Sequence, residues 1–332
     1  MLRVVFMGSD AIALPALNWL AAEGKHLAQV VAVYTQPDRA VGRGQQVQAN
    51  AIKQWALDRS LPVRQPEKIS TADAADLATL RPDLTLVMAY GHILRPDIIG
   101  VPRLGTLNLH TSILPAYRGA SPIQTAITQG ETTTGVTLMR IVPQLDAGPV
   151  ADVERVVIAP LDTAAEVEGK LALACVPLLA RSLPRLAAGT QAFTEQPAAA
   201  ATFCHRLDKS DGVLDFTLPA AVLAARINGL MPWPGCTVTL NGQLVKLGLA
   251  EASTLPDCNP VGAGVVIGTG AGSLLVETGQ GILHLRKLQR PGGKMLPAED
   301  FLRGFPVAAG TRLASQPMPP LVAGTPFQRP KG

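Results

Sequence analysis

Short apolar runs and amphipathic stretches alternate through the first half of the chain. "LRVVFMG", "AQVVAVYT", "LTLVMAYG" and "TLNLH" are β-branched or apolar segments of strand length. Between the first two, "LPALNWLAAEG" has helical spacing and a terminal Gly. "NAIKQWALDRS" and "TADAADLATL" predict two further helices, the second opening with a Thr/Asp cap signal. Such alternation predicts a mostly parallel sheet covered on both faces. Beyond His110 the pattern predicts a helix "SPIQTAITQG", strands "GVTLMRI" and "PVADVERVVI", and a closing helix "TAAEVEGKLALACVPLLARSLPRLAAG" interrupted by Pro177 and Pro184.

The rhythm then changes. Residues 190–205 are rich in Gln, Pro and Ala and read as a linker. After a short helix at 219–229 come "GCTVTLNGQLVKLGLA" and "GAGVVIGTGAGSLLVETGQGILHLRKL", short strands separated by Asn-Gly and Gly-rich breaks. This predicts a compact all-β unit, and a five-stranded barrel of the OB type fits its size. From Gln316 onward the chain is Pro-rich and is expected to be loose. The organisation expected is therefore a catalytic α/β domain at 1–189, a linker at 190–205, an all-β domain at 206–315 and a tail at 316–332.

Composition narrows the class. The 332 residues are 47% hydrophobic and 16% charged, enough for two cores. No uninterrupted apolar run reaches the roughly 18–20 residues of a membrane span. The start "MLRVVFMGSD" reads as a first strand, not a leader. Cysteines at 175, 204, 236 and 258 form no CxxC pair, and the five His are scattered. A reducing, cytoplasmic protein without a metal is expected.

Charge is unevenly placed. Residues 1–205 hold 17 Lys/Arg against 17 Asp/Glu, while residues 206–332 hold 12 against 8, so the whole +4 excess lies in the last third. "HLRKLQRPGGK" carries Arg286, Lys287, Arg290 and Lys294 with no acid between 278 and 298. A stripe of this kind suits phosphate backbones, and equally a solvated strand edge.

Several chemistries are excluded. "MGSD" after the first strand lacks GxGxxG, and neither GxxxxGK[ST] nor GxSxG occurs. The loop "TQPDRAVGRGQQV" (35–47) follows a strand end and carries Arg39 and Arg43, as an ordinary exposed loop or one that closes over an anionic partner would. In "LNLHTSILPAYRGASPIQTAI", Asn108 and His110 stand at i and i+2 of a strand and so share a face. An amide donor beside an imidazole can form an oxyanion pocket with a proton handler. Asp146 in "VPQLDAGPV" returns after a helix and a strand and can hold the imidazole. A hydrogen-bonded core histidine is the competing reading of His110 taken alone, and the three residues together favour chemistry.

"LNLHTSILPAYRGASPIQTAI" with "TGVTLMRIVPQLDAGPV" resembles the folate-dependent formyltransferase superfamily, whose pattern is N-x-H, S-[LI]-L-P-x-[YW]-R-G-x-x-P and L-D-[TA]-G. "TQPDRAVGRG", "RLDKSDGVLDF" and "INGLMPWPG" narrow the resemblance to those members that formylate methionyl-tRNA. The matches run from about residue 3 to 305. The resemblance implies a Rossmann-like N-terminal domain and a C-terminal OB-like barrel. It implies 10-formyltetrahydrofolate as formyl donor and initiator methionyl-tRNA as acceptor; nothing in the sequence demands more than a monomer, and a monomer is expected. By position Asn108, His110 and Asp146 match the catalytic trio. Ser112, Ile113, Leu114 and Pro115 match the folate-contacting segment, and 87–94, with Met88, Tyr90 and Gly91, the pterin pocket. Arg39 and Arg43 fall in the loop that approaches the tRNA acceptor end, and Arg286, Lys287, Arg290 and Lys294 would contact its backbone. Two departures stand out: "GSDAIALP" lacks the usual Pro and Phe of the first turn, and Thr111 replaces a smaller residue after His110. A formyltransferase of small amines, or a non-catalytic folate- or RNA-binding protein, would share much of this pattern.

Overall fold

A computed structural model describes residues 1–41, 46–254 and 262–327. Contacts divide the chain into two compact units. The first comprises Met1–Arg118, Gly135–Val156 and Glu168–Ala201; the second comprises Gly119–Thr134, Val157–Val167 and the chain from Thr202 onward. Residues 119–134 and 157–167 thus cluster with the C-terminal sequence, although they fall inside the span 1–189.

The first unit is built on strands β1 (Leu2–Gly8), β2 (Ala28–Tyr34), β5 (Val63–Arg64), β6 (Leu84–Met88), β7 (Thr106–His110), β9 (Thr133–Arg140) and β10 (Val150–Val157). A small hairpin, β3 (Arg39–Val41) with β4 (Gln46–Gln48), stands apart, and β8 is the two-residue Arg118–Gly119. The sheet order is β10-β9-β7-β6-β1-β2-β5. From β5 to β7 every pairing is parallel, and β9 runs antiparallel to β7. The expected mostly parallel sheet is present. Its central strands β1 and β6 are nearly continuous apolar runs because both faces are covered, and Val4, Val5, Phe6 and Met7 are fully buried.

Helices α1 (Leu14–Ala21), α2 (Ala51–Leu57), α3 (Thr71–Thr79), α4 (Pro96–Ile99) and α6 (Ala164–Ala188) accompany these strands. Asn50 caps α2 by accepting from the amides of Ile52 and Lys53, and Ser70 and Asp73 form a capping box on α3. Helix α6 continues through Pro177 and Pro184 without breaking. Its most apolar 18-residue window has a mean hydropathy of 1.4, so by length and composition the 25-residue helix could cross a membrane, although charged residues and prolines interrupt its apolar runs. Half of that window is buried inside the protein, with Leu171, Cys175, Leu178 and Leu179 inaccessible, as in a core helix.

The second unit holds α5 (Pro122–Thr128), β11 (Phe203–Cys204), α7 (Ala220–Gly229), β12 (Cys236–Leu240), β13 (Gln243–Ser253), β14 (Val266–Gly270), β15 (Ser273–Glu277), β16 (Ile282–Gln289), β17 (Leu296–Pro297), α8 (Ala298–Gly304) and β18 (Val322–Ala323). Its main sheet is antiparallel in the order β12-β13-β16-β15-β14, with β17 on β16. The strand order leaves β12 and β14 as its two ends, so the pairing is not that of a closed ring. Leu223 and Ile227 of α7 enter the core with Leu247, Leu274 and Leu285 of the sheet. The Pro-rich tail differs from the loose segment expected. The Gln316 amide donates to Leu214 O at 2.9 Å, Leu321 is buried, and β18 pairs antiparallel with β11. Proline lacks only the N–H; its carbonyl and its neighbours' side chains still bind.

Candidate active site

The sheet order reverses at β1, which has β2 on one side and β6 on the other. Ligands of such sheets bind in the crevice beyond the strand C-termini at this point. A polar network joins the three ends. Ser9 Oγ donates to Tyr90 O at 3.3 Å and accepts from the Gln36 amide at 3.0 Å, while Gln36 Nε2 donates to Tyr90 O at 3.2 Å. Thr35 Oγ1 reaches Asn50 Oδ1 at 3.1 Å, joining the cap of α2 to the end of β2.

Beyond β6 the backbone turns through two left-handed residues, Ala89 (φ 47°) and Gly91 (φ 79°). Met88 is buried with its sulfur 3.9 Å from Cys175 Sγ. Tyr90 is buried too, and its ring meets His92 edge-on at 5.0 Å. Neither Tyr90 Oη nor His92 Nε2 has a hydrogen-bond partner among the described residues. Burial raises the phenol well above its ordinary value, and the Asp73 charge adds to it. Two buried polar atoms in this state fit the edge of a heteroaromatic ligand.

Strand β7 carries Asn108 and His110 on one face, Asn108 half-buried and His110 buried. Among the described residues the Asn108 side-chain amide makes no hydrogen bond. His110 is held from both sides. Its Nε2 lies 3.0 Å from Tyr117 O, and its Nδ1 lies 3.7 Å from Asp146 Oδ2. A carbonyl only accepts, so Nε2 carries a proton.

Residues 112–115 are fixed from an unanticipated source. Thr137, opposite His110 in the β7–β9 register, donates from Oγ1 to Ser112 O at 2.6 Å and accepts from the Leu114 amide at 3.1 Å. Ser112 Oγ in turn donates to Ala116 O at 2.6 Å. Ser112 and Leu114 are buried, while Ile113 and Pro115 are partly exposed.

Asp146 stands in a turn with φ 47°, a left-handed conformation that Asp tolerates better than most residues. Two residues on, Gly148 explains the pattern L-D-A-G. A Cβ there would lie 2.0 Å from Arg140 O, so any side chain must push the turn off the end of β9. Gly148→Ala is expected to cost about 1–3 kcal/mol of stability by overpacking. It should also depress turnover by displacing Asp146; melting curves and kcat on the same preparation check this.

Of the predicted anion-binding residues, Arg39 is exposed and donates to Gln36 Oε1 at 3.0 Å, while Arg43 lies outside the described residues. On β16 and its following turn, Lys287, Arg290 and Lys294 are exposed. Arg286 instead pairs with Glu251 of β13, which sequence distance conceals. Among the described residues no group of three or more His, Cys, Asp or Glu is placed to hold a metal. Burial pushes the Cys175 and Cys236 thiols up to about 12. Both are inert as nucleophiles.

By family the chain is a formyl transferase: the Formyl transferase model matches residues 2–182, and the model of the Formyl transferase C-terminal domain matches 206–306. Methionyl-tRNA formyltransferase of Burkholderia multivorans is 40% identical over 324 residues, covering 94% of this chain and 97% of its own. That of Burkholderia pseudomallei is 40% identical over 323 residues with the same coverage. The chain belongs to the methionyl-tRNA formyltransferase family. Among solved structures, the sugar 3N-formyl transferase WlaRD, determined with dTDP and 5-N-formyl-THF, aligns at a TM-score of 0.63 and 15% identity over 86% of this chain and 97% of its own. HypX from Aquifex aeolicus in complex with tetrahydrofolic acid aligns at 0.57 and 16% over 91% of this chain, which spans 47% of HypX. These likenesses concern the fold.

Proposed function

We propose that this protein transfers the formyl group of 10-formyltetrahydrofolate to the α-amine of initiator methionyl-tRNA in the cytoplasm, acting as a monomer. The observation that carries the chemistry is an Asn108 amide with no hydrogen-bond partner among the described residues, two residues from a His110 ring that lies between Asp146 and Tyr117 O. The substrate amine attacks the formyl carbon directly, and the tetrahedral oxyanion formed needs donors. Asn108 supplies one, and His110 supplies the other when its Nε2–H exchanges Tyr117 O for the oxyanion. Asp146 orients the imidazole, and the proton lost by the attacking amine ends on the folate nitrogen as it leaves, so tetrahydrofolate departs neutral.

Tyr90, His92 and the Ala89–Gly91 backbone receive the pterin, and Ser112 to Pro115 turn around the folate, with Met88 packing beneath. Arg39 and Arg43 approach the acceptor end of the tRNA. The antiparallel sheet of the second unit is the OB-like module, in an open form, and belongs to the region 206–315 that binds tRNA after the linker at 190–205.

Formyl transfer to charged initiator tRNA, measured beside small amine acceptors, tests the assignment. Exclusive turnover of a small amine would sink it. Lys287, Arg290 and Lys294 are the exposed cations of the stripe, and neutralising all three should make the slope of log affinity for tRNA against log salt shallower by about 2 to 3, since each phosphate contact contributes roughly 0.7–0.9. Arg286→Ala should change that slope less, because its charge is already met by Glu251. Filter binding across a salt series distinguishes them.

A further inference from the structure

Gln196 stands in the segment after α6 that sequence composition marks as a linker. The fold lays this segment along the sheet. Thr194 and Val150 exchange both backbone hydrogen bonds at 2.8 Å, Gln191 Nε2 donates to Ala151 O at 2.8 Å, and the Arg140 guanidinium stacks 4.0 Å over the Phe193 ring. At the end of this stretch the Gln196 amide uses both of its polar atoms. Oε1 accepts from Arg118 Nε at 3.1 Å and Nη2 at 2.7 Å. Nε2 donates to Asp146 O at 2.9 Å and to Gly148 O at 2.7 Å. A guanidinium has no acceptor, so the orientation of the amide is determined by chemistry.

These four bonds connect the two sides of His110. The donors of Gln196 grip the turn whose left-handed Asp146 faces His110 Nδ1. Its acceptor grips Arg118, the residue after Tyr117, whose carbonyl faces His110 Nε2. Arg118 is itself buried, so it has little freedom to choose another partner. We propose that Gln196 is a positioning residue for formyl transfer: its amide sets the separation of the Asp146 and Tyr117–Arg118 loops and thereby the placement of the His110 ring. The inference rests on the role proposed for Asp146 and His110 and goes beyond it to a residue in the segment between the two family domains.

The test is a cycle of single and double substitutions in the full-length enzyme, read as kcat and KM for both substrates. Gln196→Ala should lower kcat about 10- to 100-fold, the scale of a sub-ångström to 1 Å misplacement, with KM values little changed. In an Asp146→Asn background the same substitution should cost less than about threefold, because its effect passes through Asp146. Gln196→Glu keeps the acceptor for Arg118 and loses both donors, so it should be as impaired as Gln196→Ala. Equal losses in both backgrounds, a Gln196→Glu variant close to wild type, or an effect confined to melting temperature would each overturn the proposal. Asp146→Asn with unchanged kcat would instead remove the catalytic reading on which it rests, and the inference with it.

Discussion

Asn108→Ala is expected to lower kcat by about 10²- to 10³-fold, or about 2.7–4 kcal/mol of barrier, the typical loss for one oxyanion donor. The KM for folate and tRNA should move little, since an interaction made only in the transition state does not contribute to ground-state binding. The diagnostic feature is stability. Asn108 makes no side-chain hydrogen bond among the described residues and is only half-buried, so the melting temperature should stay near wild type. His110→Ala behaves differently: the ring is buried, and its loss strips Tyr117 O of a donor as well as the reaction of a proton. It should therefore lower both kcat and melting temperature. Steady-state kinetics with thermal melts of both variants separates the two, and an Asn108→Ala enzyme of near-normal turnover would sink the assignment.

The second large effect is on stability. Arg226 of α7 is buried, and burial draws its guanidinium below the usual value. Among the described residues it is held by carbonyls: Nε and Nη2 donate to Asp211 O at 3.2 and 2.8 Å, and Nη1 donates to Pro319 O at 3.1 Å. Removing it orphans the buried Asp211 carbonyl and the partly buried Pro319 carbonyl and opens a cavity, so Arg226→Ala should cost about 3–5 kcal/mol. Arg226→Lys should recover only part, because an ammonium cannot fork between the two carbonyls. Urea denaturation gives the loss, and limited proteolysis should show cleavage near residues 319–327 accelerating in step with it. An unchanged denaturation midpoint would show that the guanidinium contributes nothing net.

Much of this was legible along the chain. The alternation in "TLNLH" placed Asn108 and His110 on one face without any structure, because the period of a strand is local geometry. Asp146 was reachable by the same logic, one helix and one strand away. Its approach to 3.7 Å from the ring depends on the antiparallel register of β9 on β7, which no local pattern encodes. Thr137 reads as an ordinary β-branched strand residue until that register sets it opposite His110. Gln196 hid in a stretch whose composition suggests a linker, since partners 48 and 50 residues away leave no mark on composition. Arg286 looked like one of four equivalent cations until β13 brought Glu251 across from it. Proline content misdescribed the tail for a related reason: it reports missing donors and says nothing about carbonyls another segment needs.

The return of the tail also bears on how the chain is made. Domains fold as they emerge from the ribosome, N-terminal parts first. The second unit draws on residues as early as Gly119, yet β18 pairs with β11 only once Val322 and Ala323 exist. Leu321 fills its place in the core equally late. Nascent chains of this protein therefore carry an unfinished second unit until Leu321, Val322 and Ala323 have emerged, and that short stretch is, in effect, the latch on the unit.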